Sequence, residues 1–149
     1  MFKHWFAPKL KVKPLKILAE GLDDLALLSA VLQDAVMRPS EMVFDQKSRT
    51  FTIILNRYCH ELASTHPLRA RAALKFHGVA KVASKRLDNQ EVLDLLILKA
   101  EALEPPGFAI ELVFAGKEGA GLRFEVECLD ILLVDLTPPR RSQHRPNHA

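Results

Sequence analysis

The run GLRFEVECLDILLVDL, Gly121 to Leu136, leaves this chain few ways to fold. Its even positions, Leu122, Phe124, Val126, Cys128, Leu132, Val134 and Leu136, are apolar, and Asp130 is the single exception. Its odd positions begin polar, at Arg123, Glu125 and Glu127, then turn apolar at Leu129, Ile131 and Leu133. Side chains alternate faces along a strand, so the pattern predicts one long β-strand with a wet face along its first half and cover on both faces of its second. A strand of that kind belongs inside a sheet. On this phase Cys128 is a core residue. Asp130, which interrupts the apolar face, reads as a bend or edge where the carboxylate reaches water or a backbone N–H; the alternative is a buried acid or base.

The rest of the chain supplies the cover. Leu15–Ala19, bounded by Pro14 and Gly21, predicts a first strand. Leu25, Leu28, Leu32 and Ala35 recur at helical spacing, with Asp23 or Asp24 as the cap, Leu22 just outside it, and Arg38-Pro39 as the stop. Glu41–Phe44 and Phe51–Leu55 flank the polar DQKSR as a hairpin. Arg69–Lys85 reads as one long strand with Gly78 as a place to bend. Strands at Val92–Leu98 and Phe108–Phe114 follow, separated by Glu104-Pro105-Pro106-Gly107. Short turns between strands imply antiparallel neighbours. The fold class is α+β: a curved, mainly antiparallel sheet or partial barrel of about seven strands, with one N-terminal helix packed on a face.

A chain of 149 residues fits one domain. The boundaries predicted are a basic tail over 1–14, the domain over 15–137, and a disordered basic tail over 138–149. Residues 1–16 hold five lysines and residues 138–149 three arginines, with no acid in either stretch. Without those eight, 13 basic residues face 18 acidic ones, so the middle of the chain carries −5 and the basicity belongs to the ends. No apolar run approaches the ~18 residues of a membrane span, and the N-terminus lacks the apolar core of a secretory signal. Phe2, Trp5 and Phe6 among lysines could lie on an anionic membrane, but the stretch is short and broken by Pro8. Cys59 and Cys128 then read as reduced thiols of a cytoplasmic protein.

Several segments together resemble a known family: LQDAV in the helix, LNR at Leu55–Arg57, LRARAALKF at Leu68–Phe76, VLDLLIL at Val92–Leu98, and IELVFAGKEGAGLRFEVECLDILLVDL. They are similar to an uncharacterised alphaproteobacterial family, domain of unknown function 2948, over about Leu15 to Pro138. The resemblance implies a small cytosolic bacterial protein with no assigned activity. No catalytic residue is carried over from it.

Chemistry-bearing residues are sparse. Cys59-His60 with His66 could form a nucleophile pair or bind zinc, but adjacent strand residues diverge and the His60 to His66 spacing fits no usual zinc motif. Arg69, Arg71, Lys75, His77, Lys81 and Lys85 share odd positions, so a single strand would show them on one face. That row could neutralise phosphates, or be compensated by Glu111, Glu125 and Glu127 on nearby strands. The one aromatic of the strand, Phe76, points the other way, whereas nucleic-acid-binding sheets use aromatic platforms. Arg57, beside Asn56 at a strand end, could fork onto a carboxylate or phosphate of a ligand, or pin the following loop. Glycines 116, 119 and 121 join two strands and open no helix, so they lack the anion-binding helix end of a phosphate loop.

The candidate binding residues are Asn56, Arg57, Arg69, Arg71, Lys75 and Lys81; no catalytic residue, metal ligand or cofactor is assigned. The favoured function is a non-enzymatic protein-binding or adaptor module that contacts a protein partner through the sheet's exposed edge or the Asn56–Arg71 region and could also form a homodimer. The alternative is nucleic-acid or polyanion binding through the basic strand face and tails. An enzyme built on the Cys59–His66 loop ranks third.

Overall fold

In the computed structural model, which describes residues 13–62, 65–88, 91–116 and 119–142, the apolar run after Pro14 forms strand β1 (Lys16–Ala19). The predicted tail segments 1–12 and 143–149 lie outside the described residues. Helix α1 (Leu22–Leu32) follows and buries Leu25, Leu28 and Leu32, a single face at helical spacing. Its N-cap is Gly21, so neither Asp23 nor Asp24 is the cap, and Leu22 is the first helical residue. Both aspartates lie in the first turn, where the helix dipole favours negative charge, and Asp24 also accepts the Glu20 N–H at 3.1 Å. The helix ends before the predicted Arg38-Pro39 stop. Asp34 adopts a left-handed backbone, φ 69°, a conformation that commonly ends helices, and Val36 already lies in a strand.

β2 (Val36–Asp45) and β3 (Thr50–Tyr58) form the predicted hairpin. A register shift between Met37 and Met42 bulges Arg38–Glu41 out of the ladder, and Pro39 sits there, where its missing N–H costs no ladder bond. β4 (Leu68–Phe76), β5 (Val79–Lys85), β6 (Leu93–Ala102), β7 (Phe108–Phe114), β8 (Gly121–Val126), β9 (Ile131–Asp135) and β10 (Arg140–Arg141) complete the chain. They build one antiparallel sheet of ten strands in the order β1-β9-β4-β3-β2-β6-β7-β8-β5, with β10 on β4. The sheet is not closed. β1 and β5 are the ends of its strand path.

The strand count exceeds the prediction mainly because two runs read as single strands each turn a corner. Arg69–Lys85 breaks at His77-Gly78, where Gly78 takes φ 68°. β4 then pairs with β3 and β9, whereas β5 pairs with β8. Gly121–Leu136 breaks between Val126 and Ile131, and its halves likewise serve opposite ends of the sheet: β8 pairs with β5 and β7, β9 with β1 and β4. The corners are tied together by His77 N–H to the Asp130 carbonyl at 3.0 Å and Glu127 N–H to the Gly78 carbonyl at 3.2 Å.

Turning the corner changes which parity faces inward. Leu122, Phe124 and Val126 are buried before it; Leu129, Ile131 and Leu133 are buried after it. Cys128 is therefore exposed rather than core, because Leu129 takes the interior place. Leu132 and Val134 are half-buried and Leu136 is exposed, so the second half is fully covered on one face only.

The core lies where β8 faces β3 and β4 across the curved sheet. Phe124 of β8 packs on Phe51 of β3 and Phe76 of β4, with ring centroids 4.6 and 4.7 Å away. Helix α1 covers the edge that β6 exposes once β2 has diverged, and Ser29 Oγ accepts the Leu98 N–H at 3.2 Å. Arg140 and Arg141 pair with Arg69 and Leu68, so this part of the predicted C-terminal tail belongs to the sheet.

Candidate functional site

The six candidate residues do not share a surface. Arg57 is wholly buried. Alternation along β3 puts Phe51, Ile53, Leu55 and Arg57 on the core side, opposite Phe76, Leu74, Ala72 and Ala70 of β4. Asp135 arrives on the same side from β9, facing Ala72. The guanidinium donates to Asp135 through Nε (2.7 Å) and Nη2 (2.9 Å), and to Glu61 through Nη1 (3.0 Å) and Nη2 (2.9 Å). Both forks are occupied by the protein's own carboxylates. Burial alone would pull the guanidinium down, but these hydrogen bonds more than reverse that and hold it charged. Asp135 also accepts the Leu15 N–H at 2.9 Å. One cation thus fixes the start of β1, the end of β9 and the turn after β3. Through Glu61 the guanidinium pins the loop, one of the two roles open to Arg57 from sequence.

Arg69 is buried as well, at 7% exposure, on the opposite face of β4. Its Nη1 donates to the backbone carbonyls of Asp34 (2.9 Å) and Asn56 (3.3 Å), and the guanidinium lies 5.4 Å from the centre of the Tyr58 ring. Nε and Nη2 have no hydrogen-bond partner in this structure. Burial lowers its pKa, against the opposing pull of the Asp94 and Asp34 charges.

Asn56 and Arg71, facing each other on β3 and β4, do come together in a shallow cleft of about 100 Å³ under the β2 bulge. There Arg71 pairs with Glu41. Lys75 is half-buried between Thr52 and Leu132. Lys81 lies on the other side of the Gly78 corner, 3.7 Å from Glu125. The row of cations predicted from odd positions is thus divided between the two ends of the sheet. The compensation anticipated for the row is present at Lys81–Glu125, whereas Glu111 meets Arg123 at 2.5 Å and Lys99 at 3.7 Å, both outside the row. Glu127 instead meets Arg49 at 2.6 Å.

Cys59, His60 and His66 enter three environments. The Cys59 thiol is buried and pushed up to about 11 by that burial, against the pull of the Arg57 charge. His60 places Nε2 2.7 Å from the Gln33 carbonyl and 3.6 Å from the Asp34 carboxylate, with Tyr58 against its ring. His66 faces Arg141, with Nη2 2.7 Å from Nδ1. A thiol held protonated at neutral pH is a poor nucleophile. Among the described residues no group of three or more His, Cys, Asp or Glu is placed to hold a metal ion. None of the described helices is long and apolar enough to cross a membrane.

A further opening lies at a sheet edge that the sequence did not locate, although the candidate Lys81 borders it. β5 ends the strand path and, among the described residues, pairs only with β8. Ala80, Lys81, Ala83, Ser84 and Lys85 are all exposed. Between this edge and the β2–β3 hairpin lies an open cleft of about 550 Å³, bordered by Phe44, Gln46, Val82, Lys81, Arg123 and Glu125. Phe44 and Val82 also pack against the core, so the cleft reaches apolar interior. The only sequence signal for it was Gly78, because leaving β4 at that corner is what strips β5 of a second neighbour.

No curated protein and no solved structure matches this chain. Residues 15–148 match the family described as protein of unknown function (DUF2948). That match spans all ten strands and the helix, and the chain belongs to this family.

Proposed function

We propose that this domain is a non-enzymatic protein-binding module that takes up an extended segment of a partner protein along the edge of β5. One observation carries this. From Ala80 to Lys85 the strand is exposed except at the half-buried Val82, pairs among the described residues with β8 alone, and overlooks a cleft reaching Phe44 and Val82. An unpaired edge presents a row of backbone donors and acceptors, and an incoming strand satisfies them while its alternate side chains enter the adjoining cleft. The other end of the sheet offers less, since β1 is only four residues long and packs against α1.

The placement of the cations supports a protein partner over a polyanion. Arg57 and Arg69 are buried, and Arg71, Lys81 and Arg123 each face a carboxylate. Phosphate binding draws on accessible cations and is steeply weakened by salt.

The test is affinity capture of the tagged chain from its host, in nuclease-treated and untreated halves, followed by amide exchange on the purified complex. A protein recovered from both halves that slows exchange at residues 80–85 is the expected result. Recovery only without nuclease, or protection that leaves β5 unchanged, would overturn it.

A further inference from the structure

The proposed function leaves the partner's chemistry open, and the side chains along the edge narrow it. Resting on that strand-addition function, we infer that the β5 edge selects an extended segment with acidic residues at positions i and i+4 and an apolar residue at i+3. Val79 is not part of the free edge, because its N–H donates to the Arg49 carbonyl at 2.8 Å and the ladder shifts register between Val79 and Lys81. The usable edge is Lys81–Lys85, centred on Ala83.

Lys81, Ala83 and Lys85 share one face, and Val82 and Ser84 the other. Val82, opposite the buried Phe124, marks the second face as the core side, where Phe44 also packs, while Lys81, Ala83, Arg123 and Glu125 border the same cleft from the first face. Lys85 stands opposite Gly121 in the ladder, so no cross-strand side chain answers its charge. The Lys81 side chain is 78% exposed and meets Glu125 only at 3.7 Å, a surface pair of small worth.

These residues also disfavour a second copy of the chain at this edge. Two β5 strands pairing antiparallel about Ala83 would set Lys81 against Lys85 of the other copy, twice, and like charges directly opposite are destabilising. Lysines on an edge strand are a common means of blocking such pairing. A strand carrying acids opposite both lysines turns the same repulsion into attraction.

Every strand pair described in this sheet is antiparallel, and an added strand continuing that pattern runs opposite to β5. Its residue i then faces Lys85, i+2 faces Ala83, i+3 faces Val82 and i+4 faces Lys81. The small Ala83 leaves room at i+2. The apolar side chain at i+3 enters the cleft beside Phe44.

Fluorescent peptides test this directly on the full chain. One carries Glu at i and i+4 and Ile at i+3 within a threonine-rich background; a second replaces both Glu by Lys. The Glu peptide is expected to bind about tenfold more tightly than the Lys peptide, the scale of two cross-strand charge pairs changing sign. K81E/K85E should reverse that order. K81Q/K85Q, which sets no new acid against Glu125, should abolish the preference while amide exchange shows β5 intact. Equal binding of both peptides, no binding of the Glu peptide at low salt, or an order unmoved by K81E/K85E would overturn the inference. Its failure is separable from that of strand addition. A host partner that protects residues 80–85 while its capture is unaffected by K81E/K85E leaves strand addition standing and removes the acidic rule. Protection elsewhere removes both.

Discussion

Arg57 and Asp135 meet edge to edge at the end of the core, Nε to Oδ1 at 2.7 Å and Nη2 to Oδ2 at 2.9 Å, with neither side chain more than 2% exposed. Removing one member leaves the other a buried charge without its main partner, although Arg57 keeps Glu61 and Asp135 keeps the Leu15 N–H, and breaking such a pair typically costs about 3–5 kcal/mol. Arg57→Met and Asp135→Leu are each expected to fall in that range by urea denaturation. The Arg57→Met/Asp135→Leu double variant should recover part of the loss, since no buried charge remains. A double variant as unstable as the sum of the two singles would show that the residues act independently.

Arg69 gives the contrasting case. Its guanidinium is almost as deeply buried, yet Nε and Nη2 gain no hydrogen bond to offset their desolvation. Arg69→Met keeps packing against Tyr58 and forfeits the Nη1 bonds to the Asp34 and Asn56 carbonyls. It should therefore cost less than Arg57→Met in the same urea series. An equal or larger loss would mean that the cation–aromatic contact and the neighbouring carboxylates outweigh the desolvation.

Glu61 ties the turn after β3 to this cluster, and its carboxyl titrates below the usual value. Burial pushes it up, but the hydrogen bond and charge of Arg57 pull it further down. A carboxyl depressed by folding contributes stability that is present above its unfolded pKa of about 4.3 and lost as pH falls through the folded value. Stability should thus decline on acidification below about pH 4.3, and Glu61→Gln should flatten part of that decline. Identical acid limbs for wild type and Glu61→Gln would remove Glu61 as a contributor.

The alternating pattern made most strands legible in the sequence, because a period of two survives wherever one face is wet. It did not show where a strand turns a corner. Gly121–Leu136 kept alternating through Cys128 and Asp130, while the backbone between Val126 and Ile131 changed direction and shifted the inward parity. The same blindness joined Arg69 to Lys85 into one stripe. Arg57 stood out as a guanidinium at a strand end, but its partners lie 4 and 78 residues away, and only the tertiary fold could name Asp135. The β5 edge was invisible for a related reason, since an edge is defined by which neighbour is missing.

The corner exposes one of the two cysteines. Cys128 lies on the exposed turn between β8 and β9, whereas Cys59 is buried and its thiol is pushed up to about 11. At neutral pH a thiol-reactive chromogen should label Cys128 quickly in the native protein and Cys59 only after denaturant is added. A thiol raised by folding supports stability below its unfolded pKa, and that support is lost as pH rises from about 9 to about 11. Cys59→Ala should remove this alkaline component, at the cost of a small cavity. Rapid labelling of both thiols in the native state would contradict the burial of Cys59.

Gly121 shows how closely β7 and β8 approach at the start of the second corner-turning run. A Cβ built there would lie 2.8 Å from the Leu112 carbonyl oxygen, a backbone atom that can move only with its strand. At Gly21 the same addition meets nothing within 4 Å. Gly121→Ala is therefore expected to destabilise by about 1–3 kcal/mol, the usual scale for forcing backbone apart in a packed region. Gly21→Ala exchanges a favoured N-cap residue for a poor one and should cost about 0.5–1 kcal/mol, with no steric component. Because Gly121 faces Lys85 across the β5–β8 ladder, the strain should also loosen the proposed binding edge. Faster amide exchange over residues 80–85 in Gly121→Ala, with β4 and β9 unchanged, would tie the edge to this contact. Loss spread evenly over the sheet would show instead that β5 unfolds only with the whole.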